Sequence, residues 1–377
     1  MMNNPISAYI HIPFCKSKCN YCDFLSFANR ESLFLSYKNA LLEEIKNCPE
    51  LEISCIETIF IGGGTPTLLP VELLCEIIEA IHKRDMNPGA EITVECNPET
   101  VTPGYLSALK SVGVNRLSFG LQSSHNRLLA KLGRVHTVEK FENVYNEAVV
   151  KGFGNINIDI MFALPGQTIE DFAQTLNYIV SLNPAHVSSY GLIIEENTPF
   201  YEAMKRSELA LPDEELDREM YYLANSILNR NGYNRYEISN FSKKGFESKH
   251  NKIYWTYKDY VGLGLGAHSF VNGKRFNNLD KLDMYISAKG DIQLLRQNFI
   301  DIIASEAMSE FMFLGLRMSE GVCHETFKAK FGINIFKVYG EQIINFEKLG
   351  LIINNRRRTY LTKKGIDLSN AVFMGFM

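Results

Sequence analysis

The amino-acid sequence predicts an α/β fold, an open and partial (β/α)6 barrel followed by a smaller, mostly helical domain. Apolar, strand-like runs alternate with helix-like segments through the first half of the chain, and repeated strand–helix–strand units give a parallel sheet with right-handed crossovers. The polar residues of chemical interest follow these strands directly, at the edge where parallel α/β folds bind ligands. A flat, doubly wound sheet is compatible with the same periodicity.

The predicted strands and helices alternate regularly up to about residue 194. The strands are predicted at residues 6–12, 56–61, 91–96, 115–121, 156–162 and 186–193. The helices between them are predicted at residues 31–47, 71–83, 103–111, 138–150 and 169–182. Beyond them we predict a helix at 213–229 and a short strand at 236–239.

Three domains are predicted from changes in this pattern. Residues 1–240 form the partial barrel, and residues 241–290 form a connecting segment that carries two further motifs. Residues 291–377 form the C-terminal domain, with helices at 303–314, 324–331 and 335–349 and a hairpin at 351–361. Helices followed by such a hairpin predict a winged-helix-like domain, although a packing or lid domain has the same pattern.

Composition and charge indicate an ordinary soluble globular protein. The chain has 377 residues, of which 46% are hydrophobic and 22% are charged, and its formal net charge is −4. This charge argues against nucleic acid as the main partner. We find neither a signal peptide nor an apolar run long enough to span a membrane, so we expect a cytoplasmic protein without a transmembrane segment.

Three cysteines after the first predicted strand, Cys15, Cys19 and Cys22, have the spacing C-x3-C-x2-C. Three thiolates so close together can bind one inorganic centre. A zinc site normally needs four protein ligands, and the next cysteine is Cys48. Three cysteines with one open corner suit a [4Fe-4S] cluster whose fourth iron can bind another molecule. Zinc is the alternative, with His11 as a fourth ligand.

The same residues carry a resemblance to a known family. The cysteine spacing resembles that of the radical S-adenosylmethionine (SAM) superfamily, and residues 9–14 (YIHIPF) are similar to the oxygen-independent coproporphyrinogen III oxidase family. Asp23 and Phe24 resemble the haem chaperone branch of this family, because the oxidases carry a further cysteine where this chain has Phe24. The resemblance implies a radical SAM, open TIM-like barrel, with a [4Fe-4S] cluster and SAM as cofactors.

A triple glycine follows the second predicted strand, in residues 62–67 (GGGTPT). Glycine lets backbone groups approach a ligand that any Cβ would block. Gly63, Gly64 and Thr65 are therefore candidates for binding the methionine end of SAM. A tight strand-to-helix turn explains the same glycines without a ligand, but the neighbouring cysteines and the match to the family motif favour a SAM site.

Further SAM contacts are implied by the resemblance. The residues expected to line the pocket are Glu95, Gln122, Arg134 and Asp159, with Tyr9 and Tyr21 against the adenosyl group and Ile193 and His268 at late positions of the pocket. Their chemistry is suitable, because a guanidinium pairs with two carboxylate oxygens and a carboxylate accepts hydrogen bonds from ribose hydroxyls or an ammonium. Taken singly, each could also be a structural ion pair or a packing contact.

The motif HNxxYW at residues 250–255 contains the single tryptophan of the chain. Histidine can ligate haem iron, and aromatic side chains can pack on a porphyrin face. By residue chemistry alone, a structural histidine and a core aromatic pair are the simpler explanation. The resemblance to the haem chaperone branch implies a haem site at His250, Asn251, Tyr254 and Trp255.

Together these features predict a radical SAM haem chaperone that binds haem and transfers it to haem-accepting proteins. The scaffold is capable of SAM cleavage given a reductant, but no catalytic residue is assigned and oxidase activity is not expected. One alternative is a coproporphyrinogen III oxidase of porphyrin biosynthesis, and another is a structural zinc or cluster protein. The acceptor, the electron donor and the oligomeric state, including a homodimer, stay open.

Overall fold

Alternating strands and helices form the computed structural model, which describes residues 4–377. The strands are β1 (Asn4–Ile12), β2 (Phe14–Cys15), β3 (Phe27–Ala28), β4 (Ser54–Gly63), β5 (Met86–Cys96), β6 (Arg116–Gln122), β7 (Asn155–Phe162), β8 (His186–Gly191), β9 (Asn234–Arg235), β10 (Asn240–Ser242), β11 (Tyr260–Leu263), β12 (His268–Val271), β13 (Lys274–Asn278), β14 (Arg296–Asp301), β15 (Val322–Cys323), β16 (Ile352–Asn354) and β17 (Arg358–Leu361).

The helices connect and cover these strands. They are α1 (Phe34–Asn47), α2 (Pro49–Ile53), α3 (Val71–His82), α4 (Pro103–Ser111), α5 (Asn126–Lys131), α6 (Val138–Val150), α7 (Ile169–Leu182), α8 (Pro199–Lys205), α9 (Glu214–Arg230), α10 (Lys249–Trp255), α11 (Leu282–Ala288), α12 (Ile292–Leu295), α13 (Ala304–Arg317), α14 (His324–Phe331), α15 (Ile335–Lys348), α16 (Lys363–Asp367) and α17 (Ser369–Met374). Within residues 4–377, none is long and apolar enough to cross a membrane.

The strands β1, β4, β5, β6, β7 and β8 are neighbours in this order, and each pair is parallel. This is the order expected for successive right-handed β–α–β units. The barrel is open, because β8 pairs next with the antiparallel β10 while β1 pairs with β11. The predicted partial (β/α)6 barrel is therefore confirmed, and the flat doubly wound alternative is wrong.

The helix α7 shows how local sequence produces these units. Thr168 caps its first turn and forms a capping box with Asp171, which satisfies backbone N–H groups that have no partner within the helix. Phe172, Leu176 and Ile179 follow at helical spacing and are fully buried. Burying each such side chain stabilises the fold by about 1.5–3 kcal/mol. The amphipathic pattern therefore fixes which face of α7 packs on the barrel.

The predicted strand at residues 236–239 is wrong in its position. Two short strands, β9 and β10, flank this segment, which forms a tight turn. The buried carboxylate of Glu237 organises the turn, because it accepts hydrogen bonds from the Ser239 backbone N–H at 2.9 Å and the Asn240 side chain at 2.5 Å. A local side-chain hydrogen bond thus replaces the strand pairing that the apolar pattern predicts.

The later part of the chain extends the same sheet and then forms a second core. β11 pairs in parallel with β1, and β12, β13 and β14 follow as an antiparallel extension. Beyond β14, helices α13 to α15 pack with a three-stranded sheet of order β15-β17-β16 around buried residues such as Phe311, Phe327 and Ile343. This is the smaller, helical C-terminal domain that the sequence predicts, while the domain limits themselves stay predictions.

The interior of the barrel is polar. Barrels of this kind usually fill their interior with branched aliphatic side chains. Here one buried polar residue from each of the six parallel strands occupies its lower half, and the set is Ser7, Thr58, Glu91, Arg116, Asn157 and His186. The helix α10 contacts this layer, since Glu91 accepts hydrogen bonds from the backbone N–H groups of Lys249 and His250 at 3.2 and 3.1 Å. A buried polar layer therefore separates α10 from the opposite end of the barrel.

Candidate functional site

The loop that carries the three cysteines begins where β1 ends and reaches across the top of the barrel. His11 fixes its return, because the His11 Nε2 lies 2.7 Å from the carbonyl oxygen of Leu25 and the Nδ1 lies 2.9 Å from the Tyr9 hydroxyl. On the far side, the Asn20 backbone N–H donates to the carbonyl oxygen of Leu132 over 3.0 Å. The loop is therefore tied to both sides of the barrel.

Cys15, Cys19 and Cys22 are free thiols that line one cavity of about 350 Å³. Thr65 donates to the Cys15 Sγ and Arg134 to the Cys19 Sγ, each over 3.7 Å. Burial raises the pKa of the Cys22 thiol to about 11, so a bound cation is needed to favour its thiolate. Within residues 4–377 no three His, Cys, Asp or Glu side chains are grouped closely enough to hold a metal ion. Cluster binding therefore requires the three Sγ atoms to turn toward a common centre.

His11 is not placed as a fourth zinc ligand. Both of its ring nitrogens are within hydrogen-bonding distance of other groups, the Tyr9 hydroxyl and the Leu25 carbonyl oxygen. Burial also lowers the pKa of its imidazole. His11 instead anchors the cysteine loop, and the three-cysteine set keeps the open corner that a [4Fe-4S] cluster with an exchangeable ligand needs.

The glycine run at the end of β4 forms one wall of the cavity. Gly63 has a φ of 108°, and a Cβ at this position would lie 2.4 Å from the His11 ring. A Cβ on Gly64 would lie 2.6 Å from the carbonyl oxygen of Phe14. Close packing against the cysteine loop therefore requires both glycines. The same absence of side chains leaves backbone groups of this segment facing the cavity.

Two carboxylates, Glu95 on β5 and Asp159 on β7, line the lower part of the cavity. Burial and the nearby Asp159 raise the pKa of Glu95 to about 8. Burial also raises the pKa of Asp159, which accepts hydrogen bonds from Asn157 at 2.8 Å and Ser118 at 3.2 Å. A cationic ligand between the two acids would favour the carboxylate form of each.

Arg134 and Gln122 line the upper wall. The guanidinium of Arg134 donates to the carbonyl oxygen of Gly120 over 2.7 Å, and its Nε is buried without a partner in the protein. Gln122 has a φ of 72°, and its side-chain oxygen accepts from the Tyr190 hydroxyl over 3.3 Å. An unpaired buried guanidinium N–H beside a cavity is suited to an acidic group of a ligand.

The structure thus brings most of the predicted site residues into one cavity. Those that line it are Cys15, Cys19, Cys22, Tyr21, Gly63, Gly64, Thr65, Glu95, Gln122, Arg134, Asp159 and Ile193. Tyr9 is not among the lining residues, because its hydroxyl is bonded to His11 and its ring stacks on Phe60 with centroids 6.3 Å apart. His268 lies outside as well, on the exposed start of β12.

Several residues that line the cavity were not predicted from the sequence, notably Ser118, Met161 and Tyr190. The signal was available in the alternation of the strands. Ser118 lies on the same face of β6 as Gln122, and Met161 lies on the same face of β7 as Asp159, since alternate residues of a strand share a face. Residues that alternate with a polar lining residue along a buried strand therefore predict the cavity wall.

The helix α10, which contains HNxxYW, lies away from this cavity at the other end of the polar barrel interior. His250 is only 1% exposed. Its Nδ1 is 2.7 Å from the Thr58 Oγ1, its Nε2 is 2.8 Å from the Tyr254 hydroxyl, and its ring stacks on Phe60. Burial, with a contribution from Arg116, lowers the pKa of the imidazole to about 3. In this conformation the His250 imidazole is therefore buried, neutral and hydrogen-bonded at both ring nitrogens.

Trp255 ends α10 on the side of the C-terminal domain. The guanidinium of Arg317, on α13, lies 4.3 Å from the centre of the Trp255 ring, and the indole N–H is buried without a partner in the protein. Asn251, one turn earlier, is half-buried and donates its backbone N–H to the Ser248 side chain. The motif therefore connects the barrel interior with the C-terminal domain.

Comparison with known proteins agrees with this arrangement. The model of the Radical SAM superfamily matches residues 9–179, and that of the HemN C-terminal domain matches residues 304–368. The Heme chaperone HemW of Lactococcus lactis subsp. lactis is 39% identical over 378 residues, which cover 100% of this chain and 98% of the relative. That of Bacillus subtilis is 39% identical over 380 residues, which cover 98% and 99%. The chain belongs to the HemW family.

Solved structures support the fold of this HemW-family protein. The coproporphyrinogen III oxidase HemN of Escherichia coli, described as a radical SAM enzyme, superposes with a TM-score of 0.87 over 99% of this chain and 90% of its own. At 22% sequence identity this likeness shows the shared architecture alone. The superfamily implies an iron–sulfur cluster and SAM, and the cavity contains the residue types that both would need.

Proposed function

We propose that this HemW-family protein binds haem and passes it to haem-accepting proteins, and that it carries a [4Fe-4S] cluster and SAM. The observation that carries the proposal is the similarity, along the whole chain, to proteins named Heme chaperone HemW. The cavity supports the cofactor part of the proposal, and the HNxxYW motif on α10 carries the haem part. Each is argued from its own residues.

The cluster would be held by Cys15, Cys19 and Cys22. The three free thiols line the same cavity, and the cysteine loop is tied to the barrel on both sides. Arg134 beside Cys19 contributes a positive charge, which stabilises a thiolate. When bound and reduced, the cluster supplies the electron for cleavage of SAM, so a reductant is a required partner.

SAM would occupy the rest of the cavity. Its carboxylate suits the Arg134 guanidinium, whose Nε has no partner. Its cationic groups and ribose hydroxyls suit Glu95 and Asp159. The bare backbone of Gly63 and Gly64 lets the methionine end approach the wall closely. Gln122 and Tyr21 complete the lining beside the adenosyl group.

Haem would bind at α10 through His250, with Asn251, Tyr254 and Trp255 around it. In the conformation described here, both His250 ring nitrogens are hydrogen-bonded and the side chain is buried. Haem ligation by His250 therefore requires α10 to move out of the barrel interior. Such a movement replaces two hydrogen bonds and exposes apolar ring surface, which haem contacts can offset.

The oxidases of the family carry a further cysteine at a position where this protein has a phenylalanine, and this difference supports a chaperone over an oxidase. Phe24 occupies that position, is 59% exposed and lines the mouth of the cavity. A phenyl ring supplies neither a metal ligand nor an acid or base.

We also propose a cytoplasmic location, because an oxygen-sensitive cluster needs a reducing compartment.

Anaerobic reconstitution followed by titration with haem tests the proposal. The reconstituted protein should bind SAM, then take up haem with a shifted and sharpened Soret band. Mixing with an apo-haemoprotein should move that band to the acceptor faster than haem released from serum albumin, a passive carrier. A protein that takes up no haem, or that releases it only as fast as the passive carrier, contradicts the proposal.

A further inference from the structure

A chain of hydrogen bonds crosses the barrel interior from the cavity to the start of α10. Asn157 Nδ2 lies 2.8 Å from Asp159 Oδ1, and Asn157 Oδ1 lies 2.6 Å from His186 Nδ1. His186 Nε2 lies 2.9 Å from the Tyr236 hydroxyl. The same hydroxyl accepts from the backbone N–H of Ser248 over 3.2 Å. Two residues of β7, one of β8, one of the turn after β9 and the N-cap of α10 therefore connect the two regions without a gap.

The two ends of this chain fix its direction. An ionised Asp159 has no proton to donate and can only accept a hydrogen bond. Asn157 therefore donates its amide N–H to Asp159 and presents its amide oxygen to His186. His186 must then carry its proton on Nδ1 and accept on Nε2 from the Tyr236 hydroxyl. A neutral imidazole is required, and burial together with Arg116 lowers the pKa of His186 well below its ordinary value. All donors therefore point toward Asp159.

The chain of hydrogen bonds is shielded from water. Asn157, His186 and Ser248 are 2%, 0% and 0% exposed, and Tyr236 is 9% exposed. In such surroundings hydrogen bonds polarise one another, so weakening one end weakens the others. Asn157 also donates to the Ser118 hydroxyl over 2.8 Å and accepts from the Ser188 hydroxyl over 3.1 Å, so the path to His186 runs through a wider buried network.

The hydrogen-bond chain ends at Ser248, which supports the first turn of α10. Ser248 is the N-cap of this helix, since its Oγ accepts the backbone N–H of Asn251 over 3.3 Å. Glu91 accepts the next two backbone N–H groups, those of Lys249 and His250. A shift of Ser248 therefore changes the support of the helical turn that carries His250.

We propose that His186 and Tyr236 are positioning residues that couple SAM binding at Asp159 to the release of α10. A SAM hydroxyl or ammonium at Asp159 competes with Asn157 for the carboxylate. The hydrogen bonds between Asn157 and Ser248 then weaken, and the N-cap of α10 loses support. The helix therefore opens more often. This inference rests on the proposed function, because it assumes SAM at Asp159 and haem at α10. By thermodynamic reciprocity, haem then raises the affinity for SAM by the same factor that SAM raises the affinity for haem.

Hydrogen–deuterium exchange of residues 248–256, with and without SAM, tests the coupling on anaerobically reconstituted protein and needs no haem. SAM should speed exchange in this segment by about fivefold, the lower end of typical coupling between sites. Tyr236→Phe removes the hydroxyl and keeps the ring. Its exchange should be faster throughout, but SAM should no longer change it. His186→Leu removes both ring nitrogens and breaks the hydrogen-bond chain at another point, so the test still stands if one of the two variants fails to fold.

The matched control is Tyr233→Phe. The Tyr233 hydroxyl is also buried, but it donates to the carbonyl oxygen of Pro184 and is not part of the chain. This variant should keep the full response to SAM. Failure to bind SAM at all overturns the SAM site together with the coupling. SAM binding that leaves exchange of 248–256 unchanged, or that still changes it in both cut variants, overturns the coupling alone and leaves the proposed function intact.

Discussion

Thr58 and His250 are 192 residues apart in sequence, yet the Thr58 Oγ1 and the His250 Nδ1 are 2.7 Å apart inside the barrel. Thr58 donates its own proton to Ser7 over 2.8 Å, so its oxygen accepts from His250. The His250 Nε2 then accepts from Tyr254. The imidazole is therefore neutral and fully satisfied, and its use as a haem ligand depends on opening α10.

The cluster prediction concerns the three clustered cysteines. Changing Cys15, Cys19 and Cys22 to Ala should remove the broad charge-transfer absorption and about four irons per chain from reconstituted protein, because these thiolates are the iron ligands. Iron analysis and the visible spectrum measure this. The control is Cys75→Ala, a cysteine on α3 away from the cavity, which should retain both. Stoichiometric zinc without iron in the parent would count against the cluster.

Arg134 is predicted to hold the SAM carboxylate. Arg134→Ala should weaken SAM binding by about 1.5–3 kcal/mol, the usual contribution of a hydrogen bond to a charged group. Equilibrium dialysis or calorimetry on reconstituted protein measures the affinity. Arg127→Ala is the control, because Arg127 is paired with Asp171 at the surface and does not line the cavity. Equal affinities for all three proteins would remove Arg134 from the site.

Glu95 is predicted to make SAM binding depend on pH. Its pKa is raised to about 8 in the ligand-free cavity, so the group is mostly protonated at neutral pH. A cationic ligand favours the carboxylate, and binding must release this proton. SAM affinity should therefore rise with pH, by up to about tenfold per unit below pH 8 for one proton. Calorimetry in buffers of different ionisation enthalpy counts the protons released.

Glu95→Gln provides the control for that prediction. The amide cannot titrate but keeps the shape of the side chain. Its SAM affinity should be lower at pH 8 and should lose the dependence assigned to Glu95. Proton release that is the same in the variant and the parent would assign the titration to another group.

Phe24 predicts the absence of oxidase activity. With cluster, SAM and reductant present, the protein should not release appreciable carbon dioxide from coproporphyrinogen III, because the position of the fourth cysteine holds a phenyl ring. Radiolabelled propionate carboxyls provide a direct measurement. Sustained release at the rate of a genuine oxidase would replace the chaperone proposal with that of an oxidase.

The sequence predicted the barrel well because its signals are local. The limits of α4, α6 and α7 agree with prediction to the residue, since caps, helical spacing and apolar faces lie within each segment. The convergence of Glu95, Gln122 and Asp159 also followed from the sequence, because the ends of neighbouring parallel strands meet at one edge. Arg134, which lies between α5 and α6, was expected there only from the family resemblance.

The environment of His250 could not be predicted in this way. Its partners Thr58 and Phe60 belong to β4, almost two hundred residues earlier, and no local pattern relates them to α10. The HNxxYW pattern does not predict that the His250 side chain is buried in the barrel. The hydrogen-bond chain from Asp159 to Ser248 could not be predicted for the same reason, because it joins residues that are far apart in the sequence.

The central claim, haem binding through His250, is tested most directly by haem titration of the parent, His250→Ala, Phe60→Leu and the triple Cys→Ala protein. Phe60 stacks on the His250 ring at 5.2 Å, so Phe60→Leu loosens the same packing but keeps the imidazole. The readouts are the Soret band and the quenching of Trp255 fluorescence. Haem affinity should fall by about tenfold or more in His250→Ala, a loss of at least about 1.4 kcal/mol, and should be retained in the other two. If His250→Ala binds haem as tightly as the parent, the claim is contradicted, and the exposed His268 becomes the next ligand to test.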